Sequence, residues 1–202
     1  MLPPKLAQII VNIGSHGSNY HGATLLDPFC GTGVILQEAA LMGFNVYGTD
    51  IDNRMIEYTN YNIDWLTNKL NLTSFTCLAE IGDATSYRWH KNFDFIAAET
   101  YLGRPFSSTP HIEVLSEVMR DVDVIHRKFL LNVAQQTKPG FRMCIAVPAW
   151  KTNNGFKHLK VLDSLEELGY TRQSFVHAEN DKLIYHREGQ FVGRELVVLT
   201  RK

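Results

Sequence analysis

The sequence predicts an α/β domain built on a doubly wound, mostly parallel sheet. A first strand over 23–27 passes through a glycine-containing turn into an amphipathic segment after Gly33, and this order of elements is typical of open α/β sheets. Short apolar runs then alternate with amphipathic stretches, as in successive βαβ units. The run 93–98 is apolar apart from Asp94, which favours a strand covered on both faces of a parallel sheet.

Periodicity and helix-ending residues place the elements in order. A proline-started helix with one apolar face covers 3–13 and ends at Gly14, Gly43 closes the helix after the first strand, and Pro139-Gly140 stops a long helix. The predicted helices cover residues 3–13, 34–42, 53–66, 111–136 and 156–168. The predicted strands cover residues 23–27, 45–49, 74–79, 93–98, 141–147, 170–176, 182–186 and 195–200, with loops over 14–22 and 104–110. Because the last three strands follow one another without a helix, we expect an antiparallel C-terminal strand.

Length and composition indicate one domain over residues 1–202, with the α/β core over 23–202. The chain has 202 residues and 45% hydrophobic content, enough for one full core. It contains neither an apolar stretch of about 18 residues nor a charged and then apolar leader, so we expect no membrane association and a cytoplasmic location. Cys30, Cys77 and Cys144 are too scattered for a disulfide framework or a zinc site, and we expect buried, reduced thiols and no metal.

The charges divide unevenly along a nearly neutral chain. Residues 1–137 hold 9 Lys and Arg against 14 Asp and Glu, whereas residues 138–202 hold 11 against 7. The overall balance excludes a general polyanion binder. The basic C-terminal part could meet a phosphate backbone, or the asymmetry could be ordinary surface variation.

The turn after the first strand reads Asp27-Pro28-Phe29-Cys30-Gly31-Thr32-Gly33. Gly31 and Gly33 allow positive φ and leave N–H groups bare at a helix N-terminus, where a carboxylate can bind. The carboxylate of Asp27 suits a ligand with an amino group or sulfonium and would repel a pyrophosphate. A dinucleotide fingerprint would place a third glycine at Leu36, so a dinucleotide site is disfavoured.

Four acidic residues, Asp27, Asp50, Asp83 and Glu99, fall at the ends of successive predicted strands. In a doubly wound sheet these ends line one crevice, so we expect the carboxylates to converge on one ligand. Asp50 is placed to accept hydrogen bonds from both hydroxyls of a ribose. Each residue alone could equally be a helix cap.

The glycine turn resembles the first motif of class I S-adenosylmethionine (SAM) methyltransferases, in the form common among enzymes that methylate amino groups of nucleic-acid bases. The likeness implies a Rossmann-like fold with a seven-stranded sheet. Asp83-Ala84 resembles the motif that meets the adenine amino group in that family. The cofactor-binding residues that the resemblance implies are Asp27, Pro28, Cys30, Gly31, Gly33, Asp50, Ile51, Asp83, Ala84 and Glu99.

The stretches 2–7, 48–52 and 190–195 narrow the resemblance. Together with the glycine turn they are similar to the catalytic domain of THUMP-associated tRNA guanine-N2 methyltransferases. That likeness implies RNA, chiefly tRNA, as partner and the exocyclic amine of a guanine as acceptor. The family's RNA-binding THUMP domain has no counterpart in these residues. We expect either that the chain is a fragment or an unusual short form, or that its RNA affinity comes from a partner or from the basic C-terminal third.

The loop after the fourth strand departs from that family. Where relatives usually carry Asp-Pro-Pro-Tyr-Gly, this chain has Glu99-Thr100-Tyr101-Leu102-Gly103. By resemblance, Glu99 accepts from the amine and Tyr101 stacks on the base, with Thr100 and Leu102 completing the catalytic loop. Without the two prolines the loop loses their restriction of φ.

Four basic residues, Lys5, Arg104, Arg187 and Arg194, are candidate phosphate contacts at the crevice mouth, although solvated surface charge is the alternative for each. The histidines show no metal-ligand spacing beside carboxylates and receive no role. Cytosine C5 methylation is disfavoured because the loop after Glu99 has no nucleophilic cysteine. The open alternatives are a SAM-binding module with weakened catalysis and a methyltransferase of rRNA, a small molecule or a protein amine.

Overall fold

The computed structural model describes residues 2–16, 22–106 and 110–202. Parts of the predicted loops over 14–22 and 104–110 lie outside these residues. The helices are α1 (Pro4–Gly14), α2 (Val34–Leu41), α3 (Asn53–Leu70) and α4 (Ile112–Ala134). The strands are β1 (Thr24–Asp27), β2 (Asn45–Asp50), β3 (Cys77–Ile81), β4 (Phe95–Glu99), β5 (Arg142–Thr152), β6 (Gly155–Lys157), β7 (Tyr170–Arg172), β8 (Ile184–Tyr185) and β9 (Val192–Arg201).

Seven strands form a sheet in the order β3-β2-β1-β4-β5-β9-β7, and the two short strands β6 and β8 pair with β5 and β9. The strands from β3 to β5 are parallel, and β9 runs antiparallel to both β5 and β7. This confirms the doubly wound α/β prediction and its antiparallel C-terminal strand. The strand order reverses between β1 and β4, so a ligand crevice is expected where these two strands end.

Two apolar layers cover the sheet. Helices α1, α2 and α3 pack on one face, through side chains such as Ile10, Leu36 and Ile63. Helix α4 covers the other face with Phe129 and Val122, together with Trp89. None of the helices in the described ranges is long and apolar enough to cross a membrane.

The prediction of a helix over 156–168 is wrong. The chain turns at Gly155, whose φ is +110°, and β6 pairs back on β5, with Lys157 opposite Trp150. A 3₁₀ helix, Lys160–Ser164, follows. The buried Leu159, Val161, Leu165 and Leu168 supplied the helical spacing that misled the sequence analysis.

Other boundaries moved by a few residues. Strand β3 begins at Cys77 rather than at residue 74, β7 ends at Arg172, and β9 begins at Val192. Cys30 and Cys144 are buried as predicted, but Cys77 is exposed because it begins the edge strand of the sheet.

Candidate functional site

A crevice lies at the carboxyl ends of β1, β2 and β4. It holds a cavity of about 660 Å³ lined by Asp50, Asp83 and Glu99. Six further residues singled out from the sequence also line it: Pro28, Ile51, Ala84, Thr100, Tyr101 and Leu102. A neighbouring cavity of about 340 Å³ is lined by Asp27, Cys30 and Gly31, and Glu99 lines both cavities. Three of the four predicted carboxylates therefore share one cavity, and Asp27 lies in the adjoining one.

The glycine turn is held by side chains from α3. Gly33 has a φ of +80° and begins α2, and a Cβ atom there would lie 3.0 Å from Thr59. The Thr59 hydroxyl donates to the Gly31 carbonyl over 2.8 Å, and the Asn62 amide donates to the Thr32 carbonyl over 2.9 Å. Neither side chain was singled out from the sequence, because neither lies in the turn or at a strand end.

Leu36 stands where a dinucleotide fingerprint has its third glycine, and its side chain packs against Gly48 of β2. A Cβ atom on Gly48 of β2 would lie 2.6 Å from the Leu36 side chain. Close packing of α2 on the sheet is therefore achieved by a glycine in the strand rather than in the helix.

Asp50 supports the turn as well as lining the cavity. Its Oδ2 accepts from the Gly31 N–H over 2.9 Å, and its Oδ1 accepts from the Asp52 N–H over 3.0 Å. Both carboxylate oxygens are thus fixed by backbone donors and retain lone pairs for a ligand.

Asp27 is almost fully buried, with 2% of its surface exposed. Burial raises its pKa well above the ordinary value, although the Phe29 N–H, 3.1 Å from Oδ1, opposes this, and the charges of Asp50 and Glu99 raise the pKa further. A cation bound beside Asp27 would favour its ionised form.

Asp83 lies just after β3, at the start of a local turn. Its Oδ1 accepts from the backbone N–H and the hydroxyl of Thr85, over 2.8 Å and 2.7 Å. The side chain is fixed within two residues of itself and keeps its second oxygen for a ligand.

Glu99, at the end of β4, pairs with Arg194 of β9. The Arg194 Nε donates to Glu99 Oε1 over 2.7 Å, and its Nη1 donates to the Gln190 side chain over 3.1 Å. Arg194 is predicted from the sequence as a phosphate contact at the crevice mouth, but its side chain is buried and its charge is directed at Glu99. The closing motif of the chain instead orients the candidate catalytic carboxylate.

Thr100 is tied to His126 of α4. The Thr100 hydroxyl lies 2.7 Å from His126 Nε2, and His126 Nδ1 lies 2.7 Å from the Val122 carbonyl. Since a carbonyl only accepts, Nδ1 carries the proton and Nε2 accepts from Thr100. Burial lowers the pKa of His126 to about 4, so the ring is neutral. The sequence analysis gave this histidine no role, and only its place on the buried stripe of α4 could have marked it.

The other loop residues differ in exposure. Tyr101 has 42% of its surface exposed and lines the larger cavity, so its ring can meet a planar ligand. Lys128 of α4 also lines that cavity, and the sequence analysis missed it.

The remaining basic candidates lie outside both cavities. Lys5 and Arg104 are exposed, and Arg187 donates to the Tyr185 hydroxyl over 2.7 Å while its guanidinium lies over the same ring. Within the described ranges, no cluster of three His, Cys, Asp or Glu residues could hold a metal ion.

Comparison with known proteins gives a family and a fold. A family model described as "Methyltransferase domain" matches residues 20–189. The tRNA (guanine(10)-N2)-dimethyltransferase of Methanothermobacter thermautotrophicus is 33% identical over 147 residues, which cover 73% of this chain and 38% of that protein. The protein of the same name from Pyrococcus abyssi is 35% identical over 105 residues, 50% of this chain and 29% of its own. The chain thus spans less than half the length of these curated relatives.

Solved structures share the fold at low identity. A magnesium protoporphyrin IX methyltransferase from Synechocystis, with bound SAM, superposes with a TM-score of 0.63 at 12% identity, over 98% of this chain and 79% of that one. An rRNA methylase from Streptococcus thermophilus superposes with a TM-score of 0.55 at 12% identity, over 100% of this chain and 97% of that one.

Proposed function

We propose that this chain, which belongs to the methyltransferase-domain family, uses SAM to methylate the exocyclic amine of a guanine in tRNA, with residues 1–202 acting as one catalytic domain. The observation that carries the proposal is the meeting of Asp50, Asp83 and Glu99 in one cavity beside a glycine turn. The tRNA (guanine(10)-N2)-dimethyltransferases support the choice of acceptor.

The residues present fit SAM. The fixed carboxylate of Asp50 suits the ribose hydroxyls, Asp83 suits the adenine amine, and the buried Asp27 suits the amino group or sulfonium. Cys30, Gly31 and Ile51 complete the walls, while Gly33 allows the turn its shape. SAM, when bound, supplies an electrophilic methyl group.

Glu99 and the loop that follows it are placed to hold the base. The free lone pairs of Glu99 accept from the guanine amine and direct its nitrogen lone pair towards the methyl group, and Tyr101 stacks on the ring. Methyl transfer depends chiefly on such alignment, with reacting atoms about 3 Å apart. Glu99 Oε2, which takes no part in the hydrogen bond with Arg194, is the atom that receives the amine proton.

A rigid loop is needed because the two prolines of the related motif are missing. Thr100 supplies it: its N–H donates to the Ala146 carbonyl over 3.0 Å, and its hydroxyl is fixed by His126. These contacts restrain the loop from β5 and α4, where proline would restrain it through φ.

The test compares acceptors under one condition. The full chain is incubated with methyl-labelled SAM and, separately, with tRNA, rRNA fragments and a protein extract free of RNA. We expect label in tRNA. Label only in rRNA or protein would refute the acceptor, and SAM binding without transfer to any of them would make the chain a SAM-binding module.

A further inference from the structure

A third cavity, of about 690 Å³, lies beside the crevice and has no part in the proposed methyl transfer. It is formed by the first half of α4, the end of β5, the short strand β6 and Lys160. Val124 of α4 lines both this cavity and the crevice. A ligand that extends from the crevice across Val124 would enter it.

The walls of this cavity combine apolar surface with unpaired positive charge. Met119, Trp150 and Phe156 form the apolar part. The positive charges come from Arg120, Lys157 and Lys160, and none of these side chains has an ion pair or hydrogen bond in the described part of the chain.

Against these three positive charges, the cavity wall carries one carboxylate, Asp123, and the His158 ring is engaged by Glu195. Asp123 Oδ1 accepts from the Val161 N–H over 2.6 Å. His158 lies 2.5 Å from the buried Glu195, which also accepts from Arg172. The surplus charge facing the cavity is therefore positive and available to an anion.

Trp150 belongs to the wall of this cavity and is almost fully buried. It is 1% exposed, and its indole N–H is the one buried side-chain donor or acceptor within the described ranges that has no partner. Leaving a buried donor unpaired is costly. A ligand acceptor could pair with it only if the cavity wall shifts, because the nitrogen itself has almost no accessible surface.

We propose that this cavity binds the nucleotide next to the methylated guanine, with its base against Met119 and Phe156 and its phosphate among Arg120, Lys157 and Lys160. A cavity of this size and mixed character suits an aromatic base joined to an anion. The inference rests on the proposed function, because the target guanine must occupy the crevice for its neighbour to arrive here.

Several other basic side chains of the C-terminal part bond within the fold and are not available to a phosphate. Arg142 donates to the Ile13 carbonyl, Arg201 to the Gly169 carbonyl, and Lys202 pairs with Glu166. These groups stabilise the fold. Lys157 and Lys160 remain free for phosphate.

The test measures binding of a labelled single-stranded hexaribonucleotide containing one guanine, by anisotropy, with S-adenosylhomocysteine present. The double variant Lys157→Ala/Lys160→Ala should bind about tenfold more weakly at low salt, and its salt slope should fall by about 0.7, the value for loss of one single-strand phosphate contact. The matched control Lys69→Ala/Lys91→Ala removes two exposed charges elsewhere and should bind as wild type. Equal affinity of the two double variants would overturn the proposal.

A second arm separates base from phosphate. Hexanucleotides with an abasic site on either side of the guanine should show one position at which wild-type binding weakens. No loss at either position would mean that the cavity takes no base, and the proposal would be wrong. Because this assay measures binding, absence of methyl transfer in the earlier test would refute the proposed function without changing this result.

Discussion

The two halves of the crevice are built differently. On the cofactor side, Asp27 and Asp83 each accept from a backbone N–H group two residues away. Asp50 accepts from two backbone N–H groups, one of them 2 residues away and the other 19 residues away. On the acceptor side, Glu99 pairs with a residue 95 positions away. The Thr100 hydroxyl bonds to His126, 26 positions away, and its N–H donates to Ala146, 46 positions away. The cofactor side is thus fixed largely by local backbone, whereas the acceptor side depends on distant elements.

Replacing Glu99, the central residue of the acceptor side, should have the largest effect on turnover. Glu99→Gln keeps the size of the side chain but weakens its acceptors and removes its capacity to take a proton. We expect turnover to fall about 100-fold or more, as for loss of a general base, with the affinity for SAM nearly unchanged.

The control is Glu113→Gln, on the exposed start of α4. Turnover and SAM binding by calorimetry give the comparison. Equal losses of both in Glu99→Gln would make Glu99 a cofactor ligand, and full activity would remove it from the mechanism.

On the cofactor side, Asp50→Ala should weaken the binding of SAM, which Glu99→Gln should leave nearly unchanged. It leaves the Gly31 N–H and the ribose hydroxyls without an acceptor, so SAM and S-adenosylhomocysteine should both bind about 5- to 150-fold more weakly, from a loss of about 1–3 kcal/mol. Calorimetry measures both affinities, with the exposed Asp64→Ala as control. Unchanged affinity in Asp50→Ala would exclude the ribose contact.

These two sides also differ in how far the sequence could predict them. The strand order, the glycine turn and the acidic strand ends follow from local signals, so the positions of Asp27, Asp50 and Asp83 were foreseen. The pairing of Arg194 with Glu99 and of His126 with Thr100 could not be predicted from the sequence, because each depends on which distant element the fold brings close. The prediction of a helix over 156–168 failed for a local reason, because residues 155–157 pair back on the adjacent end of β5 despite the helical spacing of the apolar residues.

His126 predicts a pH dependence of stability. Its pKa is about 4 in the folded protein and about 6.5 when unfolded, so the unfolded state binds more protons between these values. Stability is full above pH 6.5 and declines as the pH falls, by about 2 kcal/mol at pH 5. Urea unfolding at pH 7 and pH 5 measures this.

The variant His126→Gln isolates that contribution. It removes the titrating ring, so the difference in stability between the two pH values should shrink by about 2 kcal/mol relative to wild type. An unchanged difference would show that other groups cause the decline.

The smallest expected effect is that of Arg194→Met, which removes the partner of Glu99 and keeps the aliphatic stem. Turnover should fall about tenfold, in line with loss of one charged hydrogen bond, with tRNA affinity preserved because Arg194 is buried. The exposed Arg187→Met is the control. A large loss of tRNA affinity with normal turnover would restore Arg194 as a phosphate contact.

The most direct test of the central claim is nucleoside analysis of tRNA after incubation with the full chain and methyl-labelled SAM. Digestion and mass spectrometry identify the atom that carries the label. We expect labelled N2-methylguanosine with the wild-type chain and none with Glu99→Gln. Label on a ring nitrogen, on a carbon or on another base would contradict this claim.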